Sequence, residues 1–585
     1  MLDPNVLDSL PDALVALYAQ AEQDILADMA RRLAQYDYWI PAAEHQRQKL
    51  REMNVTQQEI IKQLSQLTGK SKDEIKQLMQ QACDDALETD REYYRQHGTD
   101  VPTALSQEMK NILNAGYTST GKLFKNLTKT TASTGQTQFV HALDRAWLEV
   151  QSGAFDYSTA IRSAVKELSR QGLHAVQYPS GRSDTLEVAV RRSVVTGINQ
   201  TAAQMQLQLA DELDSDLVET TAHAGARPSH VVWQGQVFSL SGKNPKYPDF
   251  RSATGYGTGA GLCGWNCRHS FFPYFEGAGH AYTSDQLRSY EDKSISYNGK
   301  MYTEYEASQM QRHNERQIRR WKREYAAMEA AGLDTTEAAV KLRSWRERQR
   351  DFLEQTGLKV QSARQETVGF GRSQARKAGT TAKKQADMIE NFSQKMREKG
   401  YTVKGFDRYY GDQETLSHML SAFERMATVY PQVAEGLTIA YSYSKNSDTV
   451  GWYNPKTKTI GYNKQTIGNW NYHCEEYEKL VKEGWFPRGT TPDGAFYHEF
   501  GHAYAYANNM TGYKKKIDKV LKDMGYGYVN VQQRENALTK ELSQYSTVDT
   551  IPICQEVIAE SFSEWYTSNK PREFCTTFMK GAGAI

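Results

Sequence analysis

HEFGH, at residues 498–502, is the segment that decides how the C-terminal part of this 585-residue chain folds. On a helix, His498 and His502 lie one turn apart on the same face, where both imidazoles can reach one Zn²⁺. Glu499 would stand beside the open coordination position, where it could take a proton from water and pass it on. A surface helix with two solvated histidines is the alternative. The preceding Thr491-Pro492-Asp493 weighs against it, because this triplet is typical of a helix start.

A second amphipathic helix supplies candidates for a third ligand. Residues 555–565 read QEVIAESFSEW, which places Glu556 and Glu560 one turn apart on one face. Two carboxylates directed at a core are costly unless a metal ion or another cation meets them. An acidic, solvent-exposed face is the alternative interpretation.

Strand-forming residues precede the HEFGH segment. The stretches 437–443, 449–453 and 459–462 have strand composition, and residues 454–457 (NPKT) are typical of a turn. A small sheet ahead of the helix would offer its edge to an extended peptide, which would pair as an added strand. An ordinary structural hairpin explains the same pattern equally well.

The C-terminal pattern resembles the catalytic domain of anthrax lethal factor and related zincin toxin domains. The shared features are HEFGH, a following tyrosine, and a Glu-xxx-Glu helix continued by Ser-Phe. The resemblance covers the last third of the chain and implies an α+β, gluzincin-like zinc metallopeptidase. It implies Zn²⁺ ligation and catalysis by the following residues: ligands His498, His502 and Glu556, general base Glu499, oxyanion donor Tyr545, and Glu560 orienting a ligand histidine. The interval from Tyr545 to Glu556 is longer here than in the toxin pattern.

Composition excludes several function classes for the chain as a whole. Lys and Arg number 71 against 70 Asp and Glu, and a net charge of +1 gives no global field favouring nucleic acid or an acidic substrate. The mean hydropathy of −0.70 and the absence of an 18-residue apolar run predict no membrane span. The first residues lack the features of a secretory signal, and six cysteines are too few for a disulfide framework. We therefore expect synthesis in a reducing cytoplasm.

The N-terminal half predicts mostly helices around a small α+β core. Apolar residues recur at three- and four-residue steps from Leu14 to Leu33, and further helical blocks include 139–168 and 184–213. Residues 116–135 are rich in Thr, Ser, Lys and Gly and predict a loop or linker. Residues 218–238 predict two strands joined by a loop.

Several strings in this half resemble the phage minor capsid protein 2 family, which is related to the head-morphogenesis proteins of phages SPP1 and Mu. The strings are Tyr178-Pro179-Ser180-Gly181, VRRSVVTG at 190–197, His223-x-Gly-Ala-Arg-Pro-x-His230, Trp233-Gln234-Gly235 and Cys263-Gly-Trp-Asn-Cys-Arg-His269. The resemblance extends from the N-terminus to about Arg372. It implies a few-copy head protein, made in the bacterial host cytoplasm and packaged in the capsid interior or portal region, with portal and capsid proteins as partners. Some members are natural fusions with a C-terminal enzyme or toxin domain.

The same strings contain residue types that bind metals, namely His223, His230, Cys263, Cys267 and His269. Their Cys-x₃-Cys-x-His spacing is not that of a standard zinc finger, so a structural metal is the less favoured interpretation. The favoured one is a pair of loops tied by hydrogen bonds through Arg227, Asn266 and Arg268. A disulfide between the two cysteines is not expected in a cytoplasm.

Two charged stretches, 311–323 and 343–352, predict an extended helix pair. Their basic residues could contact packaged DNA. A solvated face with Trp321 and Trp345 on the packed side is the favoured interpretation.

The sequence thus predicts a multidomain protein: a mostly α N-terminal capsid module with a small α+β core, a long helical segment and a C-terminal α+β zincin-like domain. The predicted regions are a helical region 1–135, a head-morphogenesis-like α+β core 136–276, a charged helical region 277–368, a linker 369–399 and a zincin-like domain 400–585. Three functions compete for the C-terminal domain: an effector or toxin delivered to the host, a head-maturation protease, or an inactive zincin fold in a purely structural protein. The effector is favoured because the domain is toxin-like and comes last, which is an argument by analogy. Its partner would be a peptide or protein substrate.

Overall fold

The computed structural model describes residues 4–152, 157–177, 181, 183–367, 370–444, 449–464, 466–508, 512–527, 530–547 and 554–585. The chain divides into two compact units, Met1–Thr380 and Thr381–Ile585. Of the described helices, none is both long enough and apolar enough to cross a bilayer. The string at 178–180, quoted above for its family resemblance, lies outside the described residues.

Unit 1 is mostly helical. Its helices are α1 Pro4–Ser9, α2 Asp12–Gln35, α3 Ala42–Gln96, α4 Gln107–Gln151, α5 Tyr157–Gln171, α6 Leu186–Glu212, α7 Pro228–Val231, α8 Phe250–Thr254, α9 Ser284–Ser289, α10 Glu304–Ala330 and α11 Thr336–Thr356. Its strands are β1 His174–Gln177, β2 Ser183–Thr185, β3 Leu217–Thr220, β4 Val237–Ser239, β5 Phe271–Pro273, β6 Ile295–Tyr297 and β7 Lys300–Tyr302. A 3-10 turn follows at Ser362–Gln365.

Unit 2 contains a mixed sheet and a set of shorter helices. Helix α12, Arg372–Glu398, contains the division between the units, and the strands are β8 Thr402–Lys404, β9 Thr438–Ser442, β10 Gly451–Asn454 and β11 Thr459–Asn463. The remaining helices are α13 Gln413–Val429, α14 Pro431–Ala434, α15 Trp470–Lys482, α16 Gly494–Ala507, α17 Tyr513–Asp523, α18 Val531–Glu541, α19 Cys554–Thr567 and α20 Glu573–Ala582. Short 3-10 turns lie at Phe406–Arg408 and Tyr545–Thr547.

The prediction of a loop at 116–135 is wrong, because α4 runs through this segment. Several of its threonines bond to the helix backbone: Thr118 Oγ1, for example, donates to the carbonyl of Asn114 at 2.9 Å. Gly116 in this segment allows another helix to come close. A Cβ at Gly116 would lie 2.3 Å from Thr201 Oγ1 of α6. Small and hydroxylated residues here mark a tight helix crossing, not a flexible segment.

One predicted region boundary falls within a helix, and the predicted linker is itself largely helical. The boundary at residue 135 lies inside α4. The predicted linker 369–399 is for the most part α12, and residue 369 itself lies outside the described residues. The Ala, Gln, Glu, Met and Lys residues that follow the initial Gly-rich stretch are strong helix formers, and they outweigh it.

The charged stretches form the predicted helix pair, α10 and α11, but their charged face is not simply solvated. Trp321 is buried as predicted. Glu315, Lys322 and Glu324 of α10 are also buried, and the ammonium group of Lys322 donates to the carbonyl of Gln365. The favoured interpretation was therefore wrong for these residues, because chain segments pack over a face that a sequence pattern alone leaves exposed.

The small α+β core of unit 1 is an antiparallel sheet with the strand order β4-β3-β5. The two predicted strands are present, although the second begins only at Val237 because α7 precedes it. Glu219 of β3 pairs with Val237 on one side and with Phe272 on the other.

The sheet of unit 2 has the strand order β10-β11-β9-β8. Strand β11 runs parallel to β9 and antiparallel to β10, and β8 runs parallel to β9. The predicted hairpin is confirmed, with Asn454 and Thr459 paired at its turn. Among the described strands β10 pairs only with β11, so β10 is an edge strand.

The crossing of α4 and α6 generates a stability prediction. Gly116→Ala gains about 1 kcal/mol of helix propensity but pushes a methyl group against both branches of Thr201, at 2.3 and 2.8 Å, so side-chain rotation cannot relieve the overlap. We expect a net loss of about 1–2 kcal/mol in the free energy of unfolding.

The matched control is Gly121→Ala in the same helix, where a Cβ would have no neighbour within 4 Å. This variant should gain up to about 1 kcal/mol. Urea unfolding followed by far-UV circular dichroism measures both. Equal stabilisation of the two variants would contradict the close crossing.

Candidate metal centre

Two helices of unit 2 hold the predicted site residues. HEFGH lies in α16 and the Glu-xxx-Glu segment lies in α19. The helices approach closely at Gly501, where a Cβ would lie 2.8 Å from the Cα of Ala559. This contact places the histidine face of α16 directly against the carboxylate face of α19.

Three ligand-type atoms converge between these helices. The Nε2 atoms of His498 and His502 are 3.2 Å apart. Glu556 Oε2 lies 3.3 Å from His498 Nε2, and Glu556 Oε1 lies 3.6 Å from His502 Nε2. A tetrahedral ion with ligands at about 2.0–2.2 Å would separate neighbouring ligand atoms by about 3.3–3.6 Å. The three residues therefore have the spacing of a metal-binding set.

Glu560 meets His498 from the opposite side of the imidazole ring. Its Oε1 lies 2.8 Å from His498 Nδ1, and its Oε2 accepts a hydrogen bond of 2.7 Å from the Ser543 hydroxyl. Glu560 and Ser543 are both buried. A carboxylate on Nδ1 fixes the tautomer of the ring and leaves the Nε2 lone pair directed at Glu556 and His502.

Glu499 is buried beside the three ligand atoms. Among the described residues, its Oε2 has no hydrogen-bond partner. The edge strand β10 packs directly on it: a Cβ at Gly451 would lie 2.8 Å from the Glu499 side chain. Only a glycine at this position leaves room for the glutamate, so the acid is held between the histidines and the edge of the sheet.

Tyr545 lies at the margin of the same cluster. Its ring centroid is 5.7 Å from that of His498 and 6.1 Å from that of Phe486. It lies in the 3-10 turn Tyr545–Thr547, which begins two residues after Ser543. The tyrosine is thus close enough to the histidines to contact a molecule bound between them.

The buried acids and imidazoles shift one another's pKa values. Burial alone would lower the pKa of His498, but hydrogen bonds and charge interactions with Glu556 and Glu560 raise it well above its usual value. Burial raises the pKa of Glu499 to about 7 and lowers that of His502 to about 4.

The two carboxylates of α19 shift in opposite directions. Burial raises the pKa of Glu560, only partly offset by His498. Burial also acts to raise the pKa of Glu556, but the hydrogen bond and charge of His498 outweigh it and the net shift is downward. When no metal ion is present, the positive charge of the His498 imidazolium thus offsets the negative charge of the neighbouring carboxylates.

The donor set fits a Zn²⁺ ion. Two imidazole nitrogens and one carboxylate oxygen are the ligands of a typical catalytic zinc site, with one coordination position left open. Glu556 Oε2 lies 3.3 Å from His498 Nε2 and Glu556 Oε1 lies 3.6 Å from His502 Nε2, so an ion among the three residues would take the place of the His498 proton in offsetting this carboxylate.

Sequence reasoning identified the residues on both helices but missed their supports. The only feature of the sequence that pointed to Ser543 was its position two residues before Tyr545. The roles of Gly501 and Gly451 depend on packing between separate elements, which no local pattern reveals.

Comparison with known families identifies the first unit. The family model described as "Phage minor capsid protein 2" matches residues 2–354. The chain is 28% identical over 257 residues to a "Structural protein" of Lactococcus phage LL-H, covering 42% of this chain and 66% of that relative. It is 41% identical over 95 residues to a "Structural protein" of Lactococcus phage mv4, covering 16% and 68%. No solved structure matches the chain.

The hydrogen bond between Glu560 and His498 generates a prediction about metal affinity. Glu560→Gln keeps an oxygen for Nδ1 but removes the negative charge, so we expect zinc to bind about 10-fold more weakly or worse at this site. Competition with a chromophoric chelator measures the zinc affinity. The signal is assigned to this site because the His498→Ala variant should bind one zinc ion fewer per chain.

Glu564→Gln is the matched control, since Glu564 is a buried glutamate of the same helix that pairs with Arg572 at 2.8 Å and not with the histidines. It should lower the stability of the fold without changing zinc affinity. Equal weakening in the two variants would contradict a specific role for Glu560.

Proposed function

Because this chain belongs to the phage minor capsid protein 2 family, it is a structural component of a virion that contacts other capsid proteins, and we propose that its second unit is in addition a zinc-dependent peptidase. The proposal rests on one observation: His498, His502 and Glu556 converge with metal-ligand spacing beside the buried Glu499, whose Oε2 has no hydrogen-bond partner in the part of the chain that the structure describes. The family match ends at residue 354, so it bears on the first unit only.

The proposed reaction is hydrolysis of a peptide bond. A Zn²⁺ ion held by the two histidines and Glu556 would supply Lewis-acid chemistry, polarising a carbonyl group and making a nearby water more acidic. Glu499 takes a proton from the attacking water as the C–O bond forms. It then delivers that proton to the departing amine nitrogen as the C–N bond breaks.

Two further residues position charge during the proposed reaction. The Tyr545 hydroxyl donates a hydrogen bond to the carbonyl oxygen as that oxygen gains negative charge. Glu560 holds the ring of His498 in one tautomer and one orientation. Neither residue needs to change its own covalent bonds.

A peptide is the substrate class that the surroundings favour. Strand β10 is an edge strand whose Gly451 touches Glu499, so a peptide added to this edge would pass its backbone by the general base. Backbone pairing selects an extended chain over a compact small molecule.

Two destinations suit a peptidase carried in a virion. We favour an effector that acts on host proteins after delivery, because HEFGH and the Glu-xxx-Glu helix resemble toxin domains. Cleavage of head proteins during maturation is the second. We also propose that the protein lies in the capsid interior near the portal. There the basic residues of the charged stretches 311–323 and 343–352 could contact packaged DNA.

A purely structural protein with an inactive second unit is the rival function. Both relatives are named "Structural protein", which favours this function. The rival differs from our proposal in a measurable way, since an inactive fold has no use for an ionisable group at residue 499.

Substitution of Glu499 tests the proposed function. Glu499→Gln should retain zinc, because Glu499 is not a ligand, and should reduce peptide hydrolysis by about 10²–10⁴-fold. Glu475→Gln, at an exposed site on α15, is the control and should retain full activity. Hydrolysis is measured with a mixed library of extended peptides and the full-length protein.

Analysis of protein cleavage in virions and in infected host cells distinguishes the alternative functions. Head proteins cleaved in wild-type particles and intact in Glu499→Gln particles would indicate maturation, whereas host proteins cleaved only after wild-type infection would indicate an effector. Zinc-loaded protein that cleaves neither set, with unchanged phage yield in the variant, would overturn the peptidase proposal and leave the structural function.

A further inference from the structure

A second cluster of ligand-type atoms lies in the α+β core of unit 1. His230 is on α7, and Cys267 and His269 are on the loop that precedes β5. All three side chains are buried, at 2% exposure each. The Cys267 Sγ lies 3.7 Å from His230 Nδ1 and 3.6 Å from His269 Nδ1, and the two Nδ1 atoms are 3.4 Å apart.

These three distances are those of a tetrahedral zinc site. With Zn–N near 2.05 Å and Zn–S near 2.3 Å, a tetrahedron has edges of about 3.4 Å between nitrogens and about 3.6 Å between nitrogen and sulfur. A thiolate with two imidazoles is also a donor set that zinc prefers to hard cations such as Mg²⁺ or Ca²⁺.

Hydrogen bonds on the far side of each ring direct both Nδ1 lone pairs into the cluster. His230 Nε2 lies 2.9 Å from the carbonyl of Ala260, which can only accept, so this nitrogen carries the proton. His269 Nε2 lies 3.2 Å from the Oε1 atom of Gln234, whose orientation is supported by a backbone N–H donated from His223 at 3.3 Å. Metal-binding histidines are typically held by such bonds.

Without a cation, the hydrogen-bond acceptors of the cluster outnumber its donors. Two unprotonated Nδ1 atoms face each other at 3.4 Å, and the single thiol proton of Cys267 can satisfy only one of them. One metal ion would satisfy both nitrogens and the sulfur together. The mismatch therefore points to a ligand and not merely to a set of polar core residues.

The surrounding core holds the three ligands in place. The side-chain amide of Asn199, on α6, donates to the carbonyls of both Cys267 and His269 at 3.1 Å. Trp233 packs against both imidazoles, with ring centroids 4.6 Å from His230 and 4.8 Å from His269. Donors fixed in this way need little rearrangement to bind an ion.

We propose that His230, Cys267 and His269 bind one Zn²⁺ ion that ties α7 to the loop preceding β5. The ligands come from segments 37 residues apart, so the ion would act as a cross-link inside the capsid module. One of the hydrogen bonds expected from the sequence coexists with it: Arg227 donates to the carbonyl of Trp265 at 2.8 Å. This site is independent of the proposed peptidase site.

The test uses the full-length chain with His498→Ala and His502→Ala, which removes the ligands of the other centre. We expect this protein to bind one equivalent of Zn²⁺ by elemental analysis. With Co²⁺ as the probe it should give a sulfur-to-cobalt charge-transfer band. Adding Cys267→Ser should abolish the band and weaken Co²⁺ binding by at least about 10-fold.

Cys263→Ser is the matched control. Cys263 is buried in the same loop, but its Sγ lies 3.6 Å from the carbonyl of His269 and outside the three-atom cluster, so the band should persist. Absence of bound metal in the folded double variant, or a band unaffected by Cys267→Ser, would overturn the proposal. Loss of the band in both cysteine variants would also overturn the assignment to Cys267.

X-ray absorption on the zinc-loaded His498→Ala/His502→Ala chain covers the case in which Cys267→Ser fails to fold. It examines the ligands with the unit 1 cluster intact. One sulfur at about 2.3 Å with imidazole nitrogens at about 2.0 Å is the expected result. A first shell without sulfur would overturn the proposal. Failure of the peptidase proposal leaves these outcomes unchanged, because they concern a chain that lacks that site.

Discussion

The close contact between α16 and α19 at Gly501 is the constraint on which the candidate centre of unit 2 depends. Gly501 faces the backbone of Ala559, so the helices are nearer to each other than larger side chains would permit. One glutamate of α19 can therefore face both histidines while the next reaches His498 from behind. A wider crossing would separate the nitrogens from the carboxylates and leave each group buried without compensation.

The two clusters balance buried polarity in different ways. In unit 2 the donors include carboxylates, and in the absence of metal an imidazolium at His498 offsets their charge. In unit 1 the donors are two neutral imidazoles and a thiol, with no carboxylate among the three. A metal ion would replace a proton in the first cluster and would lie between lone pairs in the second. The first arrangement suits chemistry that moves protons, and the second suits a cross-link.

The sequence predicted local arrangements better than it predicted packing. The spacing of HEFGH and the hairpin before it depend on residues near one another in the chain, and the structure contains both elements. The segment 116–135 was misjudged because its glycines and threonines serve a helix crossing that involves Thr201, which is distant in sequence. A metal at the unit 1 residues was not favoured because their Cys-x₃-Cys-x-His spacing is not that of a zinc finger. The convergence of Cys267 and His269 with His230 depends on packing between separate segments, which the spacing does not show.

Glu499 gives the strongest physical argument about the second unit. Among the described residues the buried Glu499 Oε2 has no hydrogen-bond partner, which lowers the stability of a fold, and burial raises the pKa of Glu499 to about 7. Gln or Leu in its place would remove that cost from a helix whose only task was packing, and Gly451 would not need to leave space for the acid. Groups kept in such unfavourable surroundings are typical of sites that perform chemistry. A capsid role for the first unit does not account for this residue, whereas the proton transfer that we propose for the second unit would.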